Sequence, residues 1–183
     1  MAYAENASLD APMSRSGGAT TGREGAAFRL AMRELASGVA VVTTGRGEAR
    51  FGCTATSLCS LSLDPPSLIV CIARDSSTLA ALRVACAFGV NILGRAHEDL
   101  ADRFAGRTGV KGAARFATAE WMTLATGAPL LRGALACIDC VVEEVLERHT
   151  HAIVIGRVAG VHRGGGDPAL THWRGQFRPL GES

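Results

Sequence analysis

The chain has 183 residues with 48% apolar and 20% charged side chains, the size and make-up of one globular domain rather than a disordered polymer. Its net charge of +2 is too small to argue for nucleic acid or an anionic membrane as partner. Its longest apolar runs, 67–73 and 152–156, fall far short of the ~20 residues that a bilayer-spanning helix needs.

Residues 1–24 are rich in Ser, Gly, Thr and Ala with scattered charges and no apolar centre, which predicts a flexible tail rather than a signal peptide. A domain over 25–183 and a cytoplasmic location follow as expectations. Phe28, Ala31, Met32 and Leu35 recur at helical spacing, which predicts a helix over 28–37 ended by Gly38. The β-branched run 39–44, a turn at 45–48 and a strand from Phe51 read as a hairpin. The segment 52–63 is small and rich in hydroxyls, and Asp64, Pro65 and Pro66 turn the chain. A buried strand over 67–73 leads to Ser76, Ser77 and Thr78, a helix-start signal before 79–84. A strand over 87–93, a helix over 97–104 and a Gly-rich loop over 106–115 follow. Strands over 133–145 and 151–161 dominate the last third, which closes on a short segment holding Trp173 and Phe177. Many strands with few helices, and no βαβ alternation, predict a mainly β barrel with short helical caps.

The six cysteines lie in apolar, strand-like contexts and read as reduced, buried thiols. Cys137 and Cys140 have ligand spacing, but no second pair completes a zinc set, and on a strand they would face opposite sides. No metal site is expected. Fingerprints for dinucleotide-binding Rossmann units, phosphate-binding P-loops, zinc proteases and serine hydrolases are absent, so any chemistry falls to a bound cofactor.

Four places could hold a ligand. Ser76–Thr78 combine free helix N–H groups with hydroxyls, and Arg74 stands beside them; simple helix capping explains the same residues. Residues 52–57 would let a flat ring lie against the strand, or would simply pack tightly. His151 opens an apolar strand and could stand at a barrel rim. Trp173 and Phe177 could stack on a ring or plug an interface between subunits.

Taken in order, residues 28–44, 52–66, 68–72 with Ser77 and Thr78, 88–93, 103–106, 129–133 and 150–156 resemble the short-chain flavin reductases of two-component flavin monooxygenases. The resemblance runs from about residue 28 to residue 180. It implies an FMN-binding split β-barrel that forms a homodimer, uses FMN or FAD with NADH or NADPH, and passes reduced flavin to a separate monooxygenase. Carried over position by position, Thr54, Ala55, Thr56 and Ser57 would line the flavin ring, and Cys71, Ile72 and Ala73 would back it. Ser77 and Thr78, with Arg74 nearby, would hold the phosphate; Phe104, Ala105 and Gly106 would close over the ribityl-phosphate side; His151 would stand near the nicotinamide. Many relatives carry Asn where this chain has Thr56, whose single hydroxyl offers less than an amide. Two alternatives share the scaffold: a flavoprotein with tightly held FMN that reduces a ferric chelate or a corrin, and a flavin-binding protein without catalysis.

Overall fold

The computed structural model describes residues 21–181. The predicted tail therefore lies largely outside the described residues, and the boundary placed after residue 24 falls within the first helix, α1 (Thr21–Met32). That helix begins and ends earlier than its apolar spacing predicts. It belongs to a separate compact unit that closes at Glu34, and its Phe28 and Leu30 side chains are exposed. Ser37 and Gly38, read as the helix end, instead form a short strand, β1 (Ser37–Gly38).

From Leu35 onward the chain forms a second compact unit built on an antiparallel sheet of seven strands. The strands are β2 (Ala40–Thr44), β3 (Phe51–Ala55), β4 (Leu58–Leu63), β5 (Pro66–Ala73), β6 (Ala87–Ile92), β9 (Ala136–Arg148) and β10 (His151–Arg163). Their order is β3-β2-β6-β9-β10-β5-β4, so β3 and β4, though consecutive in the chain, form the two edges. The short pair β7 (Trp121–Met122) and β8 (Leu130–Leu131) and the hairpin β11 (Leu170–Trp173) and β12 (Gln176–Pro179) lie outside this sheet. Strand β1 pairs with β11, Ser37 opposite His172.

The continuous burial of β2 explains its unbroken apolar and hydroxyl run, because both faces of the strand are covered. Alternate residues serve two cores. Val42, Val70, Phe88, Cys140 and Val154 fill one, together with Leu79 and Leu82 of helix α2 (Ser77–Ala85). Val41, Leu93, Phe116, Leu130, Cys137 and Leu170 fill the other, together with Leu100 and Phe104 of helix α3 (Glu98–Phe104). Cys137 and Cys140 thus face different cores, as strand geometry requires of residues three apart. Burial pushes the Cys137 thiol up to about 11 and the Cys140 thiol up to about 12.

A buried polar knot fixes the β2–β6 region against β8. Asn91 Nδ2 donates to the Val41 carbonyl at 2.9 Å, and its Oδ1 accepts from Leu131 N–H at 2.6 Å. The Thr43 hydroxyl donates to the Pro129 carbonyl. Each buried polar group in this knot finds a partner, which keeps its desolvation from becoming a net loss.

Candidate functional site

Helix α2 starts where β5 ends. Ser76 is its N-cap: the backbone is extended there, and Oγ accepts from Leu79 N–H at 3.1 Å. Ser77 and Thr78 are therefore first-turn residues, whose N–H groups have no acceptor within the helix. The Ser77 side chain is exposed, whereas Thr78 is buried and its hydroxyl bonds the Cys53 thiol. Burial pushes that thiol up to about 11, against the lowering effects of the Thr78 bond and the Arg115 cation. Thr78 can thus offer an outside ligand its backbone but not its hydroxyl.

The end of β3 lies next to this helix. Thr54 donates its hydroxyl to the Ala101 carbonyl at 2.6 Å, which ties β3 to α3. Thr56 and Ser57 are exposed beyond the strand end. Ser57 Oγ donates to the Cys71 carbonyl at 3.0 Å and accepts from Cys71 N–H at 3.2 Å, so this turn is clamped to β5. The Thr56 hydroxyl makes no hydrogen bond among the described residues and is available. Ala55 and Ile72 are buried, leaving their backbones as the groups a ligand could meet, while Cys71 and Ala73 are half-buried.

Strand β10 brings in His151, in register with Ala73. Arg74 N–H donates to the Thr150 carbonyl at 3.0 Å, and its Nη1 donates to the His149 carbonyl at 3.1 Å, so the start of β10 is fastened to the end of β5. The result is an open cleft of about 580 Å³ lined by Ala73, Arg74, Arg83, Glu147, Thr150 and His151. His151 is exposed there, with Nδ1 2.9 Å from the Thr150 hydroxyl. Glu147 bridges the two guanidinium groups, 2.6 Å from Arg74 and hydrogen-bonded to Arg83. The Arg83 hydrogen bond, with the charges of Arg74 and Arg83, holds the Glu147 carboxyl below the usual carboxylate range despite some desolvation.

Phe104 does not stand at the surface. Its ring is buried 5.0 Å from Phe116 in an edge-to-face pair and lies against Gly52, where an added Cβ would come within 2.7 Å of Phe104 Cε1 and 2.8 Å of the Val42 carbonyl. It is core, and only Ala105 and Gly106 are exposed where a lid was expected. The spacing of Leu100, Ala101 and Phe104 on one face of α3 carries that information in the sequence. Trp173 and Phe177 lie on the β11–β12 hairpin. Phe177 packs on the second core with Arg107 over its ring at 5.0 Å, and Arg174 covers Trp173 at 4.4 Å.

Chemically, the corner offers an anion cradle at the α2 start, strand backbone at the β3 end for a flat ring, small side chains on β5 and an imidazole at the rim. Known proteins share this framework. A family model described as "Flavin reductase like domain" matches residues 32–181. FMN reductase (NADH) RutF 2 of Methylorubrum extorquens (strain PA1) is 44% identical over 161 residues, covering 86% of this chain and 92% of that protein. The crystal structure of BorF, the flavin reductase component of a bacterial two-component tryptophan halogenase, is 34% identical with a TM-score of 0.79, covering 87% of this chain and 99% of that one. The Streptomyces globisporus C-1027 NADH:FAD oxidoreductase SgcE6, solved with NAD and FAD fragments, is 30% identical with a TM-score of 0.77, covering 86% and 93%.

Proposed function

The chain belongs to the flavin reductase like domain family, and from that premise we propose that it transfers hydride from NADH to FMN and supplies the reduced flavin to a monooxygenase component. The observation that carries this reading is the convergence of the β3 end, the β5 end, the α2 start and His151 at one corner of the sheet. The flavin-binding part of this reading lies in the unit that begins at Leu35, within the domain expected over 25–183, and the reading extends to a homodimer and to FAD and NADPH as further substrates.

The residues fit a flavin. A phosphate needs donors, and the first-turn N–H groups of α2, the Ser77 hydroxyl and Arg74 provide them at one place. A flat ring needs a surface without bulky side chains, and the run Thr54, Ala55, Thr56 and Ser57 beside Cys71 and Ala73 provides one. Bound flavin supplies the hydride acceptor, chemistry that side chains cannot perform. The chain's own work is positional. Hydride donor and acceptor atoms must meet at roughly 3–3.5 Å, so a stiff platform matters more than an acid or base. The Ser57–Cys71 clamp and the Thr54–Ala101 bond stiffen the ring platform. His151 stands at the rim, where a donor nucleotide would approach, and would orient it there rather than take a proton. Glu147 lowers the positive charge beside the phosphate cradle and favours a flavin that leaves after reduction.

The test is steady-state oxidation of NADH and of NADPH by the purified protein with added FMN, FAD or riboflavin. Rapid NADH loss that depends on added FMN is the expected result. A protein that retains a stoichiometric flavin and oxidises no pyridine nucleotide would overturn the reading.

A further inference from the structure

A second polar groove lies at the other end of β3. The turn between β2 and β3, with its short 3-10 helix Gly47–Ala49, faces the segment that runs from Trp121 to Pro129. Between them is a cavity of about 510 Å³ lined by Arg46, Arg50, Trp121, Met122, Leu124 and Pro129. Arg50 precedes β3 and Thr54 lies four residues on, so at about 3.3 Å per residue roughly 13 Å of strand separates this groove from the near edge of the candidate flavin surface.

We propose that this groove binds a nucleoside diphosphate, with the phosphates on Arg46 and Arg50 and the base against Trp121 and Met122. Four observations carry it. First, neither guanidinium meets a carboxylate among the described residues, and Glu48 on the same turn pairs with neither. Arg74, Arg83, Arg107 and Arg157 each have one. Second, Arg46 is held in place. Its Nη2 donates to the Thr126 carbonyl at 2.6 Å, and the buried Asp139 carboxylate fixes Thr126 by accepting from its N–H at 2.8 Å and from its hydroxyl.

The guanidinium of Arg46 lies directly on Gly127, whose φ is +80°; a Cβ there would come within 2.5 Å of Nη2. The close approach and the left-handed backbone both call for glycine. Third, Arg50 Nε is buried without a hydrogen-bond partner, while its guanidinium lies 4.8 Å over the Phe116 ring. A buried donor left unpaired carries a desolvation cost that an incoming acceptor would relieve.

Fourth, the floor is aromatic and rigid. Trp121 Nε1 donates to the Phe116 carbonyl at 2.9 Å, and its ring is wedged 4.8 Å from Phe116 and 5.9 Å from Phe104 while remaining partly exposed. Two unneutralised guanidinium forks select phosphate oxygens, which they bind in pairs, and a planar apolar floor selects a flat ring. A nucleoside diphosphate joins both properties in one ligand.

The experiment uses ADP as probe. The chain has two tryptophans, so Trp173→Phe leaves Trp121 as the reporter. ADP should quench that fluorescence, and calorimetry on the wild-type chain should give the same Kd. Adenosine should bind at least tenfold more weakly than ADP. Arg46→Gln and Arg50→Gln should each weaken ADP by about tenfold, the loss of one charged hydrogen-bonding partner. Saturating FMN should leave the ADP affinity unchanged. The proposal is overturned if millimolar ADP does not bind, if adenosine binds as well as ADP, if FMN displaces ADP, or if both substitutions leave the affinity intact. Should either variant fail to fold by circular dichroism, the wild-type comparison of ADP, adenosine and FMN competition decides alone. Flavin-dependent NADH oxidation is scored separately, so failure here leaves the reductase reading untouched.

Discussion

Two pairs of arginines mark two turns of the sheet, and they are neutralised differently. At the β9–β10 turn, Arg74 and Arg83 share Glu147, and Asp75 lines the same cleft, so the two cations beside the α2 start are offset by carboxylates. At the β2–β3 turn, Arg46 and Arg50 pair with no acid among the described residues, and Asp139 supports Arg46 at one remove through Thr126. The same side chain therefore serves two ends. In the first cluster the charge is largely spent inside the protein, which suits a cradle that must release its ligand. In the second, Arg46 is oriented by a backbone carbonyl and Arg50 Nε is left without an acceptor, which suits capture of an anion.

The hardest blow to this contrast falls on Asp139. It is buried, and both of its oxygens accept from Thr126. Asp139→Asn keeps the volume but turns one acceptor into a donor that faces another donor. The expected cost is about 2 kcal/mol, a fall in Tm of about 4–8 °C for a domain of this size. Differential scanning calorimetry reads it. ADP affinity should fall with it while FMN affinity stays, because Arg74, Ser77 and the β3 end do not touch Asp139. An unchanged Tm would mean that the loop holding Arg46 is supported elsewhere.

The two clusters also differ in how far the sequence announced them. The β9–β10 corner rests on signals that chemistry makes local: a β-branched run that ends at Arg74, a Ser-Ser-Thr cap, and a His at the head of an apolar strand. Strand pairing then carries His151 to Ala73, and the apolar pattern fixes that register. The β2–β3 groove has no such signature. Arg46 and Arg50 look like ordinary turn charges, and their partner wall arrives from 70 residues away on a segment without periodicity. Long-range pairing also explains the misplaced helix end, because Ser37 and Gly38 are claimed by β11, a strand that lies far along the chain. Phe104 differs for the opposite reason: the resemblance places it over the ribityl-phosphate side, while its amphipathic spacing on α3 already marks a side chain that packs inward, against Gly52 and Phe116.

His151 tests the β9–β10 corner at its rim. The side chain is exposed and, among the described residues, bonded to Thr150 alone, so His151→Ala should leave the fold intact. Turnover with NADH should fall by about tenfold, the loss of one positioning contact, with oxidised-FMN affinity nearly unchanged. Stopped-flow reduction of bound FMN separates the two readouts. An unaltered rate would remove His151 from the site and leave the corner as a flavin cradle alone.

Glu147 gives the finest test, because it separates a spent charge from an available one. Glu147→Gln would leave Arg74 and Arg83 unneutralised, as Arg46 and Arg50 already are. FMN should then gain over riboflavin, which lacks the phosphate, by about threefold, the scale of an exposed ion pair. A ratio of Kd values that does not move would place the flavin phosphate away from these arginines. The pH dependence of stability supplies an independent check. Folding lowers the Glu147 pKa, with Arg83 the main cause, so its contribution is fully present above the unfolded value near 4.5 and disappears as pH falls through the folded value. The difference in Tm between wild type and Glu147→Gln should therefore be small at neutral pH, in keeping with the exposure of the cluster, and should vanish on acidification below that window. A difference that persists in acid would mean that Glu147 acts through packing rather than through its charge.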